Sequence, residues 1–84
     1  MGYSFWILIH DGYEGGLHLK NPRMFIDERG NNSFSYTSKK EMSNKALKIL
    51  QENGIENFKV ITSDDKVISN KLHLERLYKT TLKY

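Results

Sequence analysis

The sequence predicts an α+β fold: a mostly antiparallel sheet in the order β-β-β-β-α-β-β-α, with two helices packed on it. Three observations carry that expectation. Short aromatic and β-branched runs are separated by Gly-, Asn- and Asp-rich turns, the pattern of tight hairpins. The apolar period changes from two to about 3.6 at Ser38 and again near Asn70. The length, 84 residues, holds one core, so the expectation is a single domain spanning residues 1–84.

Tyr3–His10 reads as a strand that is apolar on both faces, hence central or covered on both sides. Asp-Gly and Gly-Gly bracket a loop over residues 11–16, and Leu17–Lys20 alternates as a return strand. The register with Ile9 opposite Leu17 segregates the pattern best. It puts Phe5, Ile7, Ile9, Leu17 and Leu19 on one face and His10, His18 and Lys20 on the other with Trp6 and Leu8. Asn21-Pro22 breaks the pattern, and Met24–Asp27 with Ser33–Thr37 reads as a second hairpin across Glu28-Arg29-Gly30-Asn31-Asn32.

Ser38 stands three residues before Glu41, the spacing of a capping box, and Met42, Ala46, Ile49 and Leu50 recur at helical spacing. Asn53-Gly54 ends that helix, and Ile55 can fold back on its last turn. "KVITSDDKVI" places β-branched runs on both sides of a polar turn, a third hairpin joining Phe58–Thr62 to Lys66–Ile68. Ser69 or Asn70 caps a terminal helix in which Leu74, Leu77, Tyr78 and Leu82 share one face and Arg76, Lys79 and Lys83 the opposite one.

Composition excludes several chemistries. There is no cysteine, so there is no disulfide, thiolate nucleophile or cysteine-ligated metal. The longest near-continuous apolar run, Phe5–Ile9, is too short for a bilayer span or a signal-peptide core, and a cytoplasmic location is expected. Lys, Asn, Ile, Tyr and Phe supply 33 residues against 11 from Gly, Ala, Arg and Pro, the usage of an AT-rich genome, phage or mobile element. The net charge of +3 is uneven: residues 1–35 carry −1, and residues 36–60 and 61–84 carry +2 each. This balance argues against an acidic mimic of DNA and permits nucleic acid or an acidic protein as partner.

Candidate sites are few. His10 and His18 near Asp11 and Glu14 have the residue types of a metal site or an acid/base pair. A metal needs three or four converging ligands with supporting contacts, and a glycine-rich loop offers little rigidity; no metal or other cofactor is expected. "DGYEGG" lacks the Lys-Ser/Thr of a phosphate-binding loop and the three spaced glycines of a dinucleotide fingerprint. No serine lies in a nucleophile-elbow context, and Asp64-Asp65 reads as a turn. Tyr13, an aromatic at a hairpin tip, is the more informative residue, suited to anchoring a partner or to packing over Trp6. Lys71, Arg76, Lys79 and Lys83 form a basic helical face open to phosphate. Trp6, Phe25, Phe34 and Tyr36 are candidates for base stacking, although no RNP signature accompanies them.

These features favour a small non-enzymatic accessory protein that docks on and inhibits or modulates a larger partner through Tyr13, Glu14, His10 and His18. The alternatives are a nucleic-acid-binding module using the basic terminal helix and a small metal-independent or toxin-type nuclease using His10 and His18. An exposed sheet edge would also serve a homodimer.

Overall fold

The computed structural model describes the backbone of residues 2–81, with side chains through residue 77. The elements are β1 (Tyr3–Ile9), β2 (Tyr13–Glu14), β3 (His18–Leu19), β4 (Arg23–Met24), β5 (Phe34–Tyr36), α1 (Lys39–Glu52), β6 (Phe58–Thr62), β7 (Val67–Ile68) and α2 (Lys71–Thr81). The architecture is the expected α+β fold with an antiparallel sheet and two helices, with one extra short strand, β2. No described helix is long and apolar enough to cross a membrane.

β1 is the central strand. Along one edge it pairs with β6 from Phe5↔Thr62 to Ile9↔Phe58, and β7 continues the sheet beyond β6. Its other edge is shared by two segments, β4 at Leu8↔Met24 and β5 from Tyr3↔Tyr36 to Phe5↔Phe34. The expected second hairpin is therefore not formed, because β4 and β5 both pair with β1 and not with each other. The chain between them makes a tight excursion organised by Asp27. Its carboxylate accepts the backbone N–H groups of Arg29 and Asn31 at 2.9 and 2.8 Å. The third hairpin is formed as its pattern predicts, at Val60↔Ile68 and Ile61↔Val67.

Alternation along the strands gives the sheet two different faces. Phe5, Ile7, Phe58, Val60 and Ile68 point into one core with Tyr36, Met42, Ala46, Leu50, Ile55 and Leu74. Cross-strand rings fill one side of it, with Phe5 and Phe34 centroids 5.4 Å apart and Tyr3 and Tyr36 at 5.6 Å. Trp6, Leu8 and Ile61 lie on the other face, only half-buried, beside exposed Met24 and Val67. β1 is thus central, one of the two arrangements its apolar faces predict, and among the described residues the helices cover one of its sides.

Helix α1 is set by its ends. Ser38 Oγ accepts the Glu41 N–H at 3.2 Å, and the Glu41 carboxylate reaches back one residue further than in a standard capping box, to the Thr37 N–H at 3.2 Å. At the other end Gly54 takes φ +60°. The N–H of Ile55 bonds the Leu50 carbonyl at 3.0 Å and that of Gly54 bonds Gln51 at 3.3 Å, a Schellman closure that buries Ile55 against the last turn. Asn70 caps α2 by accepting the His73 N–H at 2.7 Å. Leu74 is fully buried and Leu77 half-buried, as their spacing predicts; the side chain of Tyr78, and Leu82 altogether, lie outside the described residues. Small Ser43 and Ala46 on α1 let α2 approach, and the buried Ser43 hydroxyl donates to the Leu74 carbonyl.

Phe5→Ala removes the fully buried ring that joins both edges of β1 and should cost about 3–5 kcal/mol in urea unfolding followed by circular dichroism. Leu17→Ser, at a residue 92% exposed, should stay within about 0.5 kcal/mol of the parent in the same measurement.

Candidate functional site

The residues between β1 and β4 form a separate two-stranded ribbon. Backbone bonds from Asp11 N–H to Lys20 O at 2.8 Å and from Lys20 N–H to Gly12 O at 2.9 Å close its base. Tyr13 then pairs with Leu19 and Glu14 with His18, leaving Gly15, Gly16 and Leu17 as the loop. Gly15 and Gly16 take φ of +59° and +85°, which a side chain would strain. Across the base, the Asn21 amide donates to the Asp11 carboxylate at 2.9 Å.

This arrangement corrects the expected register. Leu17 does not oppose Ile9, because the edge of β1 at Leu8 and Ile9 is already occupied by Met24 and Arg23. The ribbon buds off the sheet, and Leu17 stands at its tip instead of on an apolar sheet face.

The two histidines consequently have different environments. His10 is 5% exposed, its backbone N–H bonded to the Asn57 carbonyl at 3.2 Å and its Nδ1 within 3.1 Å of the Gly12 carbonyl. The Tyr13 ring lies against its imidazole at 5.4 Å between centroids. Tyr13 therefore packs on His10 rather than on Trp6, yet stays 55% exposed. His18 and Glu14 are exposed on β3 and β2. Among the described residues no three His, Asp or Glu side chains converge as a metal site.

His10 acts here as a plug that fixes the base of the ribbon. The ribbon displays Tyr13, Glu14, Leu17 and His18. Leu17 was not among the residues the sequence singled out; the signal for it was that a Gly-Gly-Leu loop pairs Glu14 with His18 and leaves the leucine unpaired.

The basic terminal face is only partly described. Lys71 and Arg76 are exposed on α2, while the Lys79 side chain and all of Lys83 lie outside the described residues. Of the aromatics considered for stacking, Tyr36 is in the core, Phe25 and Phe34 pack against it, and Trp6 lies on the open sheet face.

A second polar cluster joins Tyr36, Thr62 and Asp64. The Thr62 hydroxyl donates to the Asp64 carboxylate and accepts the Lys66 N–H at 3.0 Å. That hydroxyl bond, helped by Lys66 and Lys39, holds Asp64 below the usual carboxylate range. Burial first, and the Asp64 charge second, push the Tyr36 phenol upward. These groups tie the first turn of the third hairpin to the core. No protein-family profile, characterised protein or solved structure matches this chain.

The cluster gives a signed pH dependence. Folded Tyr36 holds its proton more tightly than the unfolded chain, so its contribution is intact below about pH 10 and declines as pH rises through the folded value. Tyr36→Phe should flatten that alkaline fall in thermal midpoint. Asp64 contributes above about pH 4 and loses its contribution as pH falls through its lowered value, so Asp64→Asn should flatten the acid limb. Melting curves across both ranges check the two signs.

Proposed function

We propose that this protein is a non-catalytic docking module that binds a larger protein partner and modulates it by occupying a surface, with the first hairpin as its anchor. The observation that carries the reading is the exposure of both Leu17, at 92%, and Tyr13, at 55%, on one ribbon whose base is held by the buried His10. A lone exposed leucine is ordinary on a protein surface. A tyrosine presented by a base-fixed projection matches the anchor residues of interfaces, where a few side chains, tyrosine prominent among them, supply most of the affinity, and the exposed leucine adds apolar area to the same projection. Glu14 and His18, the next pair along the ribbon, turn polar side chains to its other face.

The test uses the full chain as bait in cell extract, beside the Tyr13→Ala/Leu17→Ser variant. A stoichiometric protein partner that the parent retains should bind the variant at least about 30-fold more weakly, with the variant still folded. Equal retention of that partner by both baits would refute the hairpin as anchor. Capture of nucleic acid instead, lost steeply with added salt and on Lys71→Glu/Arg76→Glu, would replace the reading with the nucleic-acid one. Turnover of an RNA substrate that disappears on His10→Ala or His18→Ala would replace it with the nuclease reading.

A further inference from the structure

The sheet face turned away from the helices carries an ordered pattern that the hairpin does not use. The strand registers arrange its side chains in three rows. Ser35 and Ser4 make one row, with Ser63 donating its backbone N–H to the Ser4 carbonyl at 2.8 Å. Trp6, Ile61 and Val67 make the next. Met24, Leu8 and Lys59 make the third. The result is an apolar band two rows wide, bounded by serines on one side and interrupted by one lysine.

Its dimensions are those of a single helix. Rows two residues apart along a strand are separated by roughly 7 Å, so with its side chains the band is about 10 Å wide. Each row crosses three strands and the two rows together cross four, so at about 4.8 Å spacing the band runs obliquely for about 15 Å. A helix of about three turns, 10–12 Å in diameter, lying across the strands would cover it.

Charge decides what kind of helix. Lys59 is half-buried, and among the described residues its ammonium has no ion-pair or hydrogen-bond partner. An entirely apolar cover would strand that charge. A second copy related by a two-fold axis would bring a lysine of the same sign into the same band, with no acid in its three rows to offset it. One cation and one aromatic are also too few for a single-stranded nucleic acid, which needs a track of positive charge and successive stacking rings. A carboxylate placed in an apolar stripe satisfies every constraint.

We propose that the open sheet face binds an amphipathic helix of a partner protein, with an acidic residue in the apolar stripe of that helix paired to Lys59. The face is distinct from the hairpin and does not rest on the reading of Tyr13 and Leu17.

Trp6, the only tryptophan in the chain, lies in the band and reports its occupancy. The full chain is titrated with end-capped helical peptides of about 16 residues bearing leucines at i, i+3, i+4 and i+7, with either Glu or Lys within that stripe. The Glu peptide should shift Trp6 emission to the blue and bind about tenfold more tightly than the Lys peptide. Lys59→Glu should invert that order, which a merely structural effect of the substitution would not do. Val67→Ser should weaken the preferred peptide several-fold, and Leu17→Ser should leave it unchanged. The proposal is overturned by equal affinities for the two peptides, or by no response from either up to about 1 mM. It is equally overturned if a thymidine oligonucleotide quenches Trp6 in their place, or if sedimentation shows the face closed by self-association.

Discussion

The molecule is organised around the pairing of β1 on both of its edges. A strand with Phe5 and Ile7 fully buried must satisfy its backbone groups within the sheet, since water cannot reach them. β6 meets this need along five consecutive positions on one side. On the other side the need is divided between Arg23-Met24 and Phe34–Tyr36, with an excursion between them. Two further features follow from that division. The chain after Ile9 has no free edge of β1 left to return along, so it forms its own ribbon. The excursion in turn needs the Asp27 carboxylate to gather the N–H groups that no strand partner satisfies.

The helix layer then protects one side of the sheet. Lys45 donates its ammonium to the outward carbonyl of Ser35 at 2.6 Å, and Glu41 takes the N–H of Thr37. α1 thus occupies polar groups of the β5 edge that a foreign strand would otherwise use, one of the ways sheets avoid pairing with other chains. The opposite edge, β7, is only two residues long and preceded by a lysine. With the β5 segment occupied and β4 and β7 only two residues long, the apolar surface that stays open is a face and a projection.

The helices and the third hairpin were legible in the sequence because their signals are local. Ser38 with Glu41, Asn53-Gly54-Ile55 and Asn70 each act within a few residues of themselves, and each occupies the predicted position. The first two hairpins were not legible, because their partners are chosen by competition for β1. Leu17–Lys20 has a plausible alternation against Phe5–Ile9, but Arg23-Met24 takes the same edge and wins it. The buried His10 was hidden for the same reason: alternation alone could not reveal that Tyr13 would fold back over its ring. Apolar residues on both faces of β1 fit a central strand, which it is, and equally a strand covered on both sides, whereas Trp6 and Leu8 remain only half-buried on the side without helices. Nothing in a single strand distinguishes a face that its own helices bury from a face that they leave open.

The division of labour at β1 also sets an order of events during synthesis. The strand precedes its long partner β6 by about fifty residues of chain. Until that segment emerges, Phe5, Trp6, Ile7 and Leu8 have only the two short stretches of β4 and β5 to lean on. The nascent chain therefore carries this apolar stretch without its longest partner until β6 has emerged. Closure of the ribbon base, by contrast, joins Asp11 to Lys20, fewer than ten residues apart, and needs neither β6 nor the helices.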